Sequence, residues 1–421
     1  RLLHSAVKAA LMSVLRKKVL TAAQGDAEGE GESQVGLASQ ISNKGSNSAS
    51  NSASNLVSGS AHFSKNTSSA GDPVPDPDSI LSAVVKKPAK GEEMSPEARV
   101  ELMDSLLRPG CKKEHMVMRK SGKVGLSVAV VNHTLSKIIH AKVQSVPYEF
   151  MHIEEVFLPS FYECMLAHLP LGAWQLGVPS TSSGTNSTFR NSIDIHRPGH
   201  SGPTLERARE TGVNRIFWRA FVKSFASHEM ALLWVTKFRR TTGPRLQARG
   251  LPGPWQEEAF FRQSGLAQGE KTEVETVTNF TYDMDLTRDL PGFSSLPHAD
   301  SGNRWVSTIF YLARSNSSKT SRSSIKAGTK VLVSKLGKLG RGGNSKSSWE
   351  EGKFTVSKSI PYAPNSVFAF SPCWSSWHAV KTLEGNINRT TIQGYVHSSV
   401  KIPKKACVQP LETTSQPNSL F

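Results

Sequence analysis

From residue 305 onward the chain breaks into short apolar segments: 305–312, 329–333, 366–370, 377–380 and 390–396 are rich in β-branched or aromatic side chains and bounded by Gly, Asn, Ser or Pro. Such a series predicts short strands folded as a sandwich or jelly roll. Immediately ahead of it, in Leu-Pro-His-Ala-Asp, stand His298 and Asp300, separated from the first segment by the turn signal Ser301, Gly302 and Asn303. In a strand, residues two apart point the same way, so both side chains can reach one ion. A third ligand must then arrive from another strand, and His378 in Ser-Trp-His-Ala-Val lies in one.

Two imidazoles and one carboxylate can hold a single Fe(II) on one face and leave the other face open for chemistry. The His-x-Asp spacing alone is weak evidence in a chain with 13 histidines. A rival, His152 with Glu154, falls where a helix is predicted to begin, so Glu154 and Glu155 read as acidic residues of a first turn. His298 and Asp300 are set apart by the strand-like segments that follow them.

The order Pro-His-Ala-Asp, strand, Gly-Thr-Lys-Val-Leu from Gly328, Ala-Pro-Asn-Ser-Val-Phe-Ala-Phe from Ala363, Trp-His-Ala-Val, then Arg389 and Thr391 in Arg-Thr-Thr resembles the 2-oxoglutarate- and Fe(II)-dependent dioxygenases, nearest to the prolyl 4-hydroxylase-like branch. The likeness covers residues 275–400, with a looser extension back to residue 147. It implies an α+β fold: a double-stranded β-helix (jelly roll) core with N-terminal supporting helices. It implies that His298, Asp300 and His378 bind the iron and that Arg389 pairs with the distal carboxylate of 2-oxoglutarate. The planar fork of Arg suits a carboxylate, and Thr391, on the same strand face, can add a hydroxyl. Residues 278–283 are the candidate upstream strand, where Tyr282 is the candidate further contact to the cosubstrate, although a strand Tyr more often serves core or rim packing. Related halogenases lack the carboxylate ligand, so Asp300 favours hydroxylation or another oxidation begun by hydrogen abstraction. The implied reaction consumes 2-oxoglutarate and dioxygen, releases succinate and CO2, and oxidises a C–H bond of a protein side chain, proline among them, or of a small molecule. Ascorbate is the implied reductant.

The rest of the chain frames this module. Residues 1–23 carry apolar positions on one helical face with Lys8, Arg16, Lys17 and Lys18, which reads as an organelle transit segment, mitochondrial or plastid, or equally as an ordinary surface helix. Ser, Asn, Gly and Ala dominate residues 24–90, and the region 24–146 is expected to be mostly disordered, as is the tail 404–421. Within it, Ser95, Pro96 and Glu97 open a short helix up to Leu107, and residues 124–145 are expected to add a strand or flexible hairpin. The catalytic domain is placed at 147–403, beginning with a helix over 159–169 and one long or two shorter helices over 204–240. The aromatic stripe Phe217, Phe221 and Phe225 reads as core, and His196, His200 and His228 receive no role.

Ser- and Lys-rich loops are expected within 314–348; the Gly-rich part at 337–343 lacks the lysine-hydroxyl ending of a phosphate loop. Four scattered cysteines, Cys111, Cys164, Cys373 and Cys407, match no zinc spacing and no dense disulfide framework, which points to a reducing compartment. The net charge of +17 is spread over tail, helices and loops, with no nucleic-acid motif and no persuasive membrane span. Two classes remain: an active dioxygenase, or a basic jelly-roll binding protein without turnover. A cupin-like iron enzyme that does not use 2-oxoglutarate is a variant of the first.

Overall fold

The computed structural model describes residues 93–170, 189–196, 212–247, 280–300, 303–314, 326–335, 353–373 and 375–398. The expectations for residues 1–23, for the low-complexity stretch up to residue 92, for His200, for most of the loops within 314–348 and for the tail 404–421 lie outside these residues.

Ser95 caps α1 (Pro96–Leu106) by accepting the Ala98 amide, with Pro96 opening the first turn, and the helix buries Leu102 and Leu106. A hairpin of β1 (Met116–Met118) and β2 (Val124–Leu126) follows. The chain then forms α2 (Val128–His140), where a strand or flexible hairpin was expected. Ser127 caps it through the Val130 amide, and Val130, Thr134, Leu135 and Ile138 fall on one buried face at helical spacing. The disorder expected over 24–146 is therefore corrected for residues 93–146, whose apolar side chains join the main core.

A second correction concerns His152 and Glu154. They lie in β3 (Phe150–Glu154), a strand paired along its length with β10 (Ser366–Phe370), because this segment alternates apolar side chains into a sheet rather than along a helix. Glu155, at φ 52°, ends the strand before α3 (Pro159–Ala167) begins. The later helices are α4 (Gly212–Phe225), α5 (His228–Lys237) and α6 (Arg239–Gln247), so of the two alternatives for 204–240 the described residues follow the shorter helices, with Ser227 capping α5.

The remaining strands are β4 (Arg190–His196), β5 (Phe280–Asp289), β6 (Ser295–His298), β7 (Arg304–Tyr311), β8 (Thr329–Ser334), β9 (Phe354–Ile360), β11 (His378–Val380) and β12 (Arg389–Ser398). Two antiparallel sheets result, one of six strands in the order β3-β10-β7-β12-β5-β4 and one of four in the order β6-β11-β8-β9. Period-two alternation gives the larger sheet two apolar faces. One, with Tyr282, Met284, Leu286, Phe310 and Ile392, packs against Phe217, Trp218, Phe221 and Trp234 of the helices. The other, with Phe150, Tyr311, Phe368 and Phe370, packs against Val331, Ile360 and Val380 of the smaller sheet. The functional site lies in this second layer.

At the start of β8, a Cβ on Gly328 would stand 1.8 Å from the Ile360 carbonyl oxygen, so the close approach of β8 to β9 needs glycine there. Gly328→Ala is expected to cost about 3 kcal/mol, read as a lowered denaturant midpoint.

Cys111 and Cys164 form a disulfide that ties the segment after α1 to α3, while Cys373 is buried and takes no part in that bond. One disulfide is not a dense framework, but it removes the basis for inferring a reducing compartment from the cysteine spacing. Beside it, the buried His168 ring stacks on Phe217 at 4.2 Å and bonds to the Leu106 carbonyl and the Asn214 carboxamide, each at 3.1 Å. Burial pulls its pKa below the ordinary 6.5, against the pull of those two bonds. The unfolded chain therefore binds the proton more readily, so the stability held by neutral His168 is complete above 6.5 and drains as pH falls below it. Melting temperatures measured from about pH 7.5 down to about 5.5 are expected to fall more steeply for the native chain than for His168→Gln.

Candidate metal centre and carboxylate anchor

β6 and β11 pair so that His298 and His378 are direct cross-strand partners, with ring centroids 4.2 Å apart. The chain turns after His298 and brings Asp300 to the same side, its Oδ1 3.9 Å from His298 Nε2. Ligand atoms of His298, Asp300 and His378 all lie within 4.8 Å of one another. A register shift between His378 and Val380 marks an irregularity beside the site.

The tautomers follow from the backbone. His298 Nδ1 lies 2.7 Å from the Leu296 carbonyl and His378 Nδ1 lies 3.0 Å from the Ser376 carbonyl. A carbonyl only accepts, so each Nδ1 carries a proton and Nε2 is the nitrogen left to face a metal, the arrangement found behind metal-bound histidines. Burial, then the neighbouring His298, pulls the His378 pKa down to about 4, so its ring is neutral at physiological pH. For Asp300, burial alone would raise the pKa, but Arg304, His378, His298 and Ser307 outweigh it and hold the carboxyl well below its usual range. Arg304 Nη1 donates to Asp300 Oδ1 at 3.0 Å, and Ser307 Oγ donates to Oδ2 at 2.5 Å. Arg304 itself lies over the Tyr395 ring at 3.7 Å. Both carboxylate oxygens are thus oriented, while the His298 side chain, 40% exposed, leaves the site open on one side.

Arg389 opens β12 and is 1% exposed. Its Nη1 donates to Asp289 Oδ2 at 2.6 Å, and Asp289 also receives Arg190 through Nε at 2.5 Å and Nη2 at 3.0 Å. Arg190 and Arg389 are both cross-strand partners of Asp289, from β4 and β12. Among the described residues, two guanidiniums against one carboxylate leave one positive charge uncompensated in this buried cluster. Burial would lower the Arg389 pKa, but Asp289 and then Tyr311 hold it above its ordinary value. Arg389 Nη2 reaches Thr329 Oγ1 only at 3.5 Å, and its Nε is buried without a hydrogen-bond partner among the described residues. Thr329 also meets the Tyr311 hydroxyl at 2.6 Å.

The two ends of the site are linked along β8. Val331 is the cross-strand partner of His378, and Thr329, which touches Arg389, lies two positions earlier on the same face. Two positions of a strand span roughly 7 Å.

Of the residues singled out in the sequence, His298, Asp300 and His378 come together, and Arg389 stands at the other end of the same interior layer. Thr391 lies two positions from Arg389 on β12, its hydroxyl 2.6 Å from that of Thr287. Tyr282 is a correction. It is buried on the helix-facing side, bonded to Thr308 at 2.7 Å, because seven residues separate it from Asp289 and an odd separation turns it to the opposite face of β5. The sequence reading missed Arg190, Asp289, Arg304, Tyr311 and Thr329. The last two carried a signal, since each faces inward in a segment already recognised as a strand.

The other group of candidate ligands among the described residues is Cys111, Cys164 and His168, whose two sulfurs are bonded to each other. No described helix is long and apolar enough to cross a membrane.

No protein-family model matches the chain, and no curated protein matches it. Solved structures similar to it include a prolyl-4-hydroxylase from Pseudomonas putida (11% identity, 37% of this chain and 66% of that one, TM-score 0.20). A 2OG-Fe(II) oxygenase family oxidoreductase from Burkholderia pseudomallei shares 10% identity over 66% of this chain and 92% of its own, with a TM-score of 0.29. A prolyl 4-hydroxylase structure from Phytophthora capsici shares 12% identity over 78% and 75%, with a TM-score of 0.32. The functional reading rests on the geometry of the site itself.

Proposed function

We propose that this chain is an Fe(II)- and 2-oxoglutarate-dependent dioxygenase that hydroxylates a C–H bond of a protein side chain, proline among the candidates, or of a small molecule. The observation that carries the reading is a His-Asp-His ligand set with both Nε2 atoms left to face a metal, standing two strand positions from a buried arginine cluster with an uncompensated charge. Two neutral imidazoles and one carboxylate suit Fe(II), and the bound metal would supply dioxygen activation. The division of β5 to β12 into β5, β7, β10 and β12 in the larger sheet and β6, β8, β9 and β11 in the smaller supports a double-stranded β-helix as the scaffold.

The chain's own residues divide the remaining work. Leu296 and Ser376 fix the histidine tautomers through their carbonyls, and Arg304 and Ser307 hold Asp300 ionised and oriented. Arg389 would receive the distal carboxylate of 2-oxoglutarate on its Nε and Nη2 edge, with Tyr311 and Thr329 beside it. Phe293, Val331 and Phe370 belong to the buried apolar cluster of this layer, and dry surroundings of that kind would strengthen contacts to the diacid's ends.

A binding protein without turnover has no use for a guanidinium buried with an unmatched charge at this distance from a metal triad. The test is succinate formation from 2-oxoglutarate with Fe(II) and ascorbate across a panel of prolyl peptides and small molecules. Iron-dependent succinate supports the proposal. Tight iron binding with oxidation indifferent to 2-oxoglutarate would replace it with a cupin-like enzyme, and metal binding with no turnover by either route would favour the binding protein.

A further inference from the structure

Asp289 does something that anchoring a carboxylate does not require. It is fully buried, it lies between two arginines, and its Oδ2 accepts from both of them, Arg389 Nη1 at 2.6 Å and Arg190 Nη2 at 3.0 Å. Arg190 grips both carboxylate oxygens while stacking over Phe293 at 4.2 Å, so Asp289 is held rigidly from the β4 side. Arg389 gives it only Nη1 and keeps the Nε and Nη2 edge turned elsewhere. An incoming carboxylate on that edge would share one guanidinium with a fixed, buried negative charge.

We propose that Asp289 and Arg190 are positioning residues that set the strength of the dicarboxylate anchor, Asp289 weakening it and Arg190 moderating that effect. The inference rests on the proposed 2-oxoglutarate role of Arg389. Asp289 aims the free edge of Arg389 and repels the anion that docks there, while Arg190 draws off part of the Asp289 charge. The consequence concerns product exit as much as entry. Succinate keeps the distal carboxylate of 2-oxoglutarate, so an anchor left at full strength would retain product. By charge alone the cluster stands at one positive unit in the native chain, two in Asp289→Asn, zero in Arg190→Gln and one again in the double variant.

The test uses the full chain loaded with Mn(II), titrated with 2-oxoglutarate and separately with succinate, alongside steady-state turnover with Fe(II). Asp289→Asn is expected to bind both diacids about tenfold more tightly, with kcat and KM falling together as succinate release slows. Arg190→Gln is expected to bind both about tenfold more weakly, and the double variant to return toward the native affinity. Weakening by both single variants, or no change in either, overturns the inference while leaving the 2-oxoglutarate reading intact. Should Asp289→Asn not fold, Arg190→Gln and the double variant still decide it: a double variant as weak as or weaker than Arg190→Gln overturns the inference. A native chain that binds Mn(II) but neither diacid overturns the function proposed for Arg389 and this inference with it.

Discussion

Arg389→Gln is expected to raise the KM for 2-oxoglutarate by about a hundredfold, the equivalent of one lost bidentate charge-assisted contact in a buried setting. The fold should survive the change. Asp289 keeps both bonds from Arg190, so no carboxylate is stranded, and the cluster loses its surplus charge rather than gaining one. That separates this position from a typical buried ion pair, where removing one partner leaves the other uncompensated. Arg389→Lys is the informative control. It retains the charge but not the planar fork, so its KM should fall between those of the native chain and the glutamine variant. The measurement is succinate release against 2-oxoglutarate concentration, with melting temperature recorded in parallel. A melting temperature that collapses while KM stays unchanged would make Arg389 a structural residue.

The second large effect concerns stability. Reducing the Cys111 and Cys164 pair, or replacing both by serine, is expected to cost roughly 4 kcal/mol by the loop-entropy relation for a link across a sequence separation of 53. The bond joins α1 and its following turn to α3, whose Phe161, Cys164 and Met165 are wholly buried. Without it the region 93–146 keeps its apolar contacts with α3 and α4 but loses its covalent tie to α3. Urea denaturation with and without a dithiol reductant reads the difference. The Cys373→Ser variant should show the same reductant sensitivity as the native chain, because Cys373 takes no part in that bond.

How much of this was legible in the sequence depends on which rule each residue obeys. His298 and Asp300 were legible because a His-x-Asp pair stands directly ahead of a series of strand-like segments, although β6 ends at His298 and Asp300 lies just beyond it, and His378 and Arg389 because each lies in or beside such a segment. Pairing is another matter. That His298 faces His378, or that Asp289 faces both Arg190 and Arg389, is a property of sheet register between segments up to 100 positions apart. Tyr282 was assigned to the right strand and to the wrong face, since nothing in 278–283 fixes which side meets the helices. The Val-rich stretch ahead of α2 reads as strand by composition, and only the Ser127 cap with the spacing of Val130, Leu135 and Ile138 shows the helix. The disulfide was not readable, because the sequence does not say which cysteines meet.

Anaerobic titration of the purified chain with Fe(II) and then with 2-oxoglutarate reads both ends of the site in one experiment. The native chain is expected to take up one equivalent of Fe(II) and to develop a visible absorption band only when 2-oxoglutarate is added. His378→Ala should bind little iron and give no band, and Arg389→Gln should bind iron normally and require about a hundredfold more 2-oxoglutarate to give it. Iron bound as tightly by His378→Ala as by the native chain, or a native iron protein blind to 2-oxoglutarate, would contradict the proposed site.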